Sequence, residues 1–133
     1  MPTYPHGSVQ LRLGSRLEVL RHKYPVFAGV EVRVRIGFDL IRISDISLWL
    51  GSVPASLPTE PPLVVAEVIS PDDRLTDMLV KLEEYRAWGV SHIWLIEPEL
   101  KRAQVYTKGT LTEVQILELP QFGFAVHVWE LFD

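Results

Sequence analysis

The spacing of apolar residues along this chain changes period several times, and each change marks an element. Val9, Leu13, Leu17, Leu20 and Tyr24 recur at three- and four-residue intervals, which predicts an amphipathic helix over 7–24. Ser8 is its expected N-cap and Pro25 its stop, and residues 1–6, with Pro2, Pro5 and His6, read as an extended lead-in. Its opposite face carries Arg12, Arg16, Arg21, His22 and Lys23, a charge run that reads first as a solvated surface. The period then drops to two. Glu31–Ile36 alternates polar and apolar, Gly37-Phe38-Asp39 supplies a turn, and Arg42–Leu50 resumes the extended pattern. Residues 51–62 hold four prolines and read as a loop.

The run Leu63-Val64-Val65-Ala66-Glu67-Val68-Ile69 is apolar at six of seven positions and closes on Ser70-Pro71, as a strand buried on both faces does. Helical spacing returns over 74–88, with Ser70 or Asp73 as N-cap and Gly89 as C-terminal cap. Leu75, Met78, Leu79, Leu82 and Tyr85 form the expected buried stripe. Arg86 falls inside that arc and must snorkel or pair, and Lys81 lies at its edge. His92–Glu97 is the next strand, so 63–97 predicts a βαβ unit with two parallel strands. Beyond Pro98 the pattern predicts a hairpin of 103–107 with 111–119 about Lys108-Gly109, a last strand over 124–129 and a closing turn. The expected architecture is one α/β (α+β) domain over 1–133, a mixed sheet centred on 63–69 with helices packed against it.

Composition narrows the chemistry. There is no cysteine, which excludes disulfides and thiolate metal sites and suits a reducing cytoplasm. The first residues lack a signal-peptide pattern, and no apolar run approaches the ~18 residues of a membrane span. The net charge of −4 means that a nucleic-acid binder of this composition needs a local basic surface. The four histidines lack metal-ligand spacing, and there is no Gly-rich phosphate loop or nucleophile elbow.

Two acids stand where strands do not favour them. Glu67 lies inside the apolar run, where a lone carboxylate costs several kcal/mol unless a cation pairs with it. Asp45 shares a strand face with Ile43, Ser47 and Trp49. Two carboxylates on adjacent strands can hold Mg²⁺ or Mn²⁺ through one or two oxygens, with water completing the shell. A lysine beside them, Lys81, can stabilise negative charge developing on a phosphate. The plainer reading pairs Lys81 with Asp77 or Tyr85 on the helix, makes Ser70 a cap, and leaves Tyr85 and Trp94 in the core.

Ala66-Glu67-Val68-Ile69-Ser70-Pro71, with Asp77, Lys81, Tyr85, Gly89-Val90, Trp94 and Glu97-Pro98, resembles the Uma-type restriction endonuclease family of the PD-(D/E)XK nuclease superfamily. Ser44-Asp45-Ile46 resembles its Pro-Asp-Val motif, and His6-Gly7 its first helix. The resemblance implies a restriction-endonuclease-like mixed sheet flanked by helices and Mg²⁺-dependent cleavage of DNA. It implies Asp45 and Glu67 as metal ligands and catalytic acids and Lys81 as the catalytic cation. Ser44 departs from the motif's proline, Glu97 stands where aspartate is usual, and Ile69 occupies the superfamily's usual lysine position, which makes Lys81 the substitute. The family's N-terminal segment is expected to be missing, leaving a sheet edge that a second copy would cover.

Three readings follow: a metal-dependent DNA endonuclease that acts as a homo-oligomer, a catalytically weak relative that binds nucleic acid or a protein, and an unrelated structural protein whose Glu67 pairs internally. The third requires that the Asp45 and Glu67 carboxylates do not meet in a cleft.

Overall fold

The computed structural model describes residues 3–133. Helix α1 spans Tyr4–Val19 and ends in a 3-10 turn at Leu20–His22. Strands β1 (Val26–Ile36) and β2 (Leu40–Leu50) form a long antiparallel ribbon. Strand β3 (Val64–Val68), helix α2 (Leu75–Trp88) and strand β4 (His92–Glu97) follow, then β5 (Arg102–Thr107) and β6 (Thr110–Val114). The six strands form one mixed sheet in the order β1-β2-β3-β4-β5-β6, with β3 and β4 parallel. Strands β7 (Ile116–Leu119) and β8 (Phe124–His127) make a separate two-stranded sheet, followed by a 3-10 turn at Val128–Leu131.

The two helices cover opposite faces of the large sheet. Val9, Leu13 and Leu17 of α1 pack with Ile46, Leu48, Ala66, Val68, Trp94 and Ile96, and the β7–β8 hairpin closes this layer with Leu117, Leu119 and Val126. Met78, Leu82 and Tyr85 of α2 pack with Trp49, Val65, Ile93 and Leu95 on the other face. Strand β3 lies between the two layers and is buried at all five positions, as its apolar run, interrupted only by Glu67, predicts. Each buried leucine of these stripes contributes roughly 1.5–3 kcal/mol. Gly89 ends α2 at φ 117, where its N–H caps the carbonyls of Tyr85 and Arg86, and an added Cβ would meet Pro61 at 3.4 Å.

Several boundaries differ from the sequence reading. Helix α1 begins at Tyr4, not Gly7, because Thr3 caps it: the Thr3 hydroxyl accepts the His6 N–H. Pro5 sits in the first turn, where a missing N–H costs nothing, so the supposed lead-in is helical from residue 4; Pro2 lies outside the described residues. Neither Ser70 nor Asp73 caps α2. Its N-cap is Arg74, while the Asp73 carboxylate accepts the Ser70 N–H and closes a turn ahead of the helix. Leu75 is half exposed, and Arg86 pairs with Glu83 at the surface. The expected strand 111–119 breaks at Gln115, so β6 pairs with β5 and β7 with β8. Trp129, read as strand, lies in the closing 3-10 turn and is exposed.

One irregularity shapes the site. Residues 26, 28, 32, 34 and 36 of β1 share one parity, so a regular strand would put them on one face. Val26 and Ala28 pack in the α1 layer, but Val32, Val34 and Ile36 pack in the α2 layer. The face changes at Glu31, whose φ is 51, between the pairs Val30–Ile46 and Val32–Ser44. A left-handed residue inside a strand is the kind of kink that re-aims a ribbon.

Candidate active site

Asp45 and Glu67 lie side by side where the β2–β3 ladder stops. Its last backbone pair on that side is Ile46–Ala66, and the next position in register would set Asp45 opposite Glu67. The side chains take over from the missing ladder bonds. The Asp45 N–H donates to Glu67 Oε2 at 3.2 Å, and the Val68 N–H donates to Asp45 Oδ2 at 2.8 Å. Each carboxylate thus satisfies a backbone donor that opening the sheet would otherwise orphan.

Helix α2 supplies the cation. Lys81 Nζ donates to Glu67 Oε1 at 2.7 Å and to the Ile43 carbonyl at 2.8 Å, so the lysine crosses from the edge of the helical stripe to the sheet. Asp77, its expected surface partner, is not in contact with it among the described ion pairs. The Tyr85 hydroxyl donates to Glu67 Oε2 at 3.2 Å. Glu67 is only 1% exposed. Burial, reinforced by the Asp45 charge and opposed by Lys81, pushes its pKa up to about 7. Burial also raises Asp45, against the Val68 N–H and the nearby His6 and Lys81. The Tyr85 hydroxyl is raised as well, by burial and then by the Glu67 charge, so it stays a donor.

Helix α1 closes the far side with residues that sequence reasoning assigned no site role. His6 is buried, with Nε2 at 3.7 Å from Asp45 Oδ1 and Nδ1 meeting the Ser70 hydroxyl at 3.3 Å. Gln10 Nε2 donates to the Asp45 carbonyl at 3.2 Å. The signal was present: His6, Gln10, Leu13 and Leu17 follow one helical stripe whose first two members are polar. Starting the helix after His6 hid it. Glu31 also faces the site, and together these groups border an open cleft of about 200 Å³ lined by His6, Glu31, Asp45, Glu67, Ser70 and Lys81.

The three sequence-predicted residues therefore meet in one cleft, and the reading that needed the two carboxylates apart is set aside. Their chemistry suits a divalent cation. Both acids present hard oxygen donors, and among the described residues Asp45 Oδ1 has no closer protein partner than His6 at 3.7 Å. Each carboxylate accepts up to about four bonds, so Glu67 retains capacity beside its three. No group of three or more His, Cys, Asp or Glu side chains converges closely enough to form a full protein cage among the described residues. The donor set fits an ion held by two carboxylates and completed by water.

A mixed six-stranded sheet flanked by two helices, with paired acids and a lysine where two central strands part, defines the restriction-endonuclease-like class of folds. The chain belongs to the Uma2 family, described as "putative restriction endonuclease", whose model matches residues 1–126. A crystal structure of a "putative nuclease belonging to DUF820" from Anabaena variabilis superposes with a TM-score of 0.84 at 22% identity, covering 98% of this chain and 82% of that one. No curated protein sequence matches the chain. Family membership supports nuclease function in general terms. Among the described residues no helix is long and apolar enough to cross a membrane.

Proposed function

We propose that the chain is a metal-dependent DNA endonuclease, a single restriction-endonuclease-like domain that hydrolyses phosphodiester bonds in the cytoplasm. The observation that carries this reading is Glu67: an almost fully buried carboxylate, paired with Lys81 and set beside a second acid, Asp45, at the floor of an open cleft. Asp45 and Glu67 would hold Mg²⁺ or Mn²⁺, and the ion would supply Lewis acidity toward a phosphoryl oxygen and a more acidic water.

The protein's own groups set the geometry. The N–H groups of Asp45 and Val68 fix the two carboxylates before any ligand arrives. Lys81 is held by Glu67 and the Ile43 carbonyl, so its ammonium is in place when charge develops on the scissile phosphate. Tyr85 orients Glu67 from behind. His6 and Ser70 border the Asp45 side of the cleft, where they limit how water approaches. A homo-oligomer would bring two such sites to the two strands of a duplex.

A second reading, a catalytically weak member that binds nucleic acid or a protein, draws on the closeness of the Lys81–Glu67 pair, which a cation must loosen to use Glu67 Oε1. A plasmid-nicking assay with Mg²⁺ and Mn²⁺ separates the two. Nicking by the wild type with none by Glu67→Ala supports the nuclease. Equal rates for both proteins, or no nicking by the wild type with either metal, would overturn it. Calorimetry with Mn²⁺ tests the ion directly: weak binding by the wild type, at least tenfold weaker in Glu67→Gln, is expected, since a bound carboxylate is replaced by a neutral amide.

A further inference from the structure

The chain is acidic overall, so a DNA substrate must be held by cations gathered locally. Six of the nine arginines are committed to carboxylates: Arg12, Arg16, Arg21, Arg42, Arg86 and Arg102. The other three, Arg33, Arg35 and Arg74, are exposed and make no side-chain hydrogen bond or ion pair among the described residues. The first two are not scattered. Arg33 lies directly across the ribbon from Ile43, whose carbonyl holds Lys81, and Arg35 lies across from Ile41. Arg74, the N-cap residue of α2, stands apart from them: it borders a shallow depression lined also by Asp72, Asp73 and Asp77, which shares Asp73, Met78 and Lys81 with the cleft.

The kink at Glu31 makes this arrangement possible. It turns Val32, Val34 and Ile36 into the α2 layer, so the alternating Arg33 and Arg35 point away from that core. With Ile41 and Ile43 beside them and Phe38 89% exposed at the tip, the outer half of the ribbon offers guanidinium groups on an apolar ground. Arg42, which donates through Nε and Nη2 to the two carboxylate oxygens of Glu84, ties the ribbon to α2 and keeps it from swinging free. The groove beyond Ser70 differs: Asp73 and Glu99 line it, Glu97 there is paired with Arg102, and no arginine or lysine is among its lining residues.

We infer that the outer half of the β1–β2 ribbon is the DNA-gripping surface, with Arg33 and Arg35 on phosphates to one side of the cleft, so that a duplex runs from the cleft over the ribbon and away from the acidic groove. This rests on the nuclease reading and gives its substrate a track. Two-stranded ribbons match the width of a DNA groove, and arginine forks match phosphate. The pairs Arg33–Ile43 and Arg35–Ile41 place the two guanidinium groups two residues apart on one strand, about 6–7 Å along it, close to the spacing of successive phosphates.

The test is fluorescence anisotropy on a labelled duplex in Ca²⁺, across a salt series, with the full chain and its Arg33→Ala/Arg35→Ala variant. The double variant is expected to keep its melting temperature, bind roughly tenfold or more weakly at 100 mM salt, and lose about 2 from the slope of log K against log salt. Lys108→Ala, at the distant β5–β6 turn, should match the wild type. Unchanged affinity and slope in the double variant, with a wild type that binds and nicks, would overturn this surface and leave the nuclease reading standing. A wild type that binds no duplex overturns both. If the double variant instead dissociates a wild-type oligomer in light scattering without changing DNA affinity, the surface joins copies of this chain and the proposal is wrong.

Discussion

Two buried glutamates end the neighbouring parallel strands, and they have opposite characters. Glu97, at the end of β4, faces Arg102 directly across the β4–β5 ladder and pairs with it, one charge to one charge. Glu67, near the end of β3, is paired with Lys81, while Asp45 beside it makes no ion pair with that lysine among the described residues and has His6 at 3.7 Å. The first pair is neutral; in the second, Asp45, Glu67 and Lys81 alone sum to −1 when both acids are ionised, with His6 beside Asp45 and Glu31 facing the same cleft. A neutral pair needs nothing more from its surroundings. A cluster left with excess negative charge in a half-buried place has a standing affinity for a cation. Burial alone therefore does not separate the two acids; what differs is the set of charges around each.

The strongest way to break that contrast is through Lys81. Lys81→Ala is expected to keep the fold and lose a hundredfold or more in nicking rate, the scale of one preorganised electrostatic donor. Lys81→Arg should not restore full activity, because a planar fork replaces a compact ammonium. A wild-type rate for Lys81→Ala, in a preparation whose Glu67→Ala control is dead, would make Lys81 as structural as Arg102.

The next effect is on stability against pH. Glu67 has a folded pKa of about 7, above its ordinary 4.5, so the native state holds the extra proton between these values. Stability from this group is therefore fully present below about pH 4.5 and is lost as pH rises through about 7, by at most about 3 kcal/mol. Denaturant unfolding at pH 5, 6, 7 and 8 should show that decline in the wild type and a much shallower one in Glu67→Gln. Added Mn²⁺ should offset the loss at pH 8, since the ion binds the ionised form. Parallel curves for the two proteins would remove the distinction between the clusters.

The smallest expected change in activity concerns the neutral pair. Arg102→Ala, which leaves the buried Glu97 carboxylate without its partner, should cost about 1–3 kcal/mol of stability and leave the nicking rate unchanged. A large loss of activity there would mean that both glutamates serve the chemistry.

Some of this was legible in the sequence and some was not, for identifiable reasons. Glu67 stood out because four apolar residues before it and two after it leave a carboxylate no solvent to face. Lys81 could be placed at the edge of its stripe because helical spacing fixes angular position. The alternation of Arg33 and Arg35 was equally plain, but their isolation from acids was not, since ion pairs join residues as far apart as Arg12 and Asp133. His6 was hidden by two prolines that suggested extended chain, although Pro5 in a first helical turn carries no penalty. The kink at Glu31 left no mark, because a glutamate gives no hint of a positive φ. The break at Gln115 was missed for a similar reason: the alternation continues through it, and only tertiary packing assigns its two halves to different sheets.

The carboxylates that occupy the parted end of the β2–β3 ladder also constrain how this family can decay. A descendant relieved of selection for nuclease chemistry would still carry the N–H groups of Asp45 and Val68 at the same opening. An apolar replacement strands them, at about 1–3 kcal/mol each, a large share of a small domain's stability. Asparagine and glutamine keep the carbonyl acceptors while discarding the charge. Neutral drift in such lineages should therefore pass through Asp45→Asn and Glu67→Gln, and dead members would retain amides there as the fossil of a lost site.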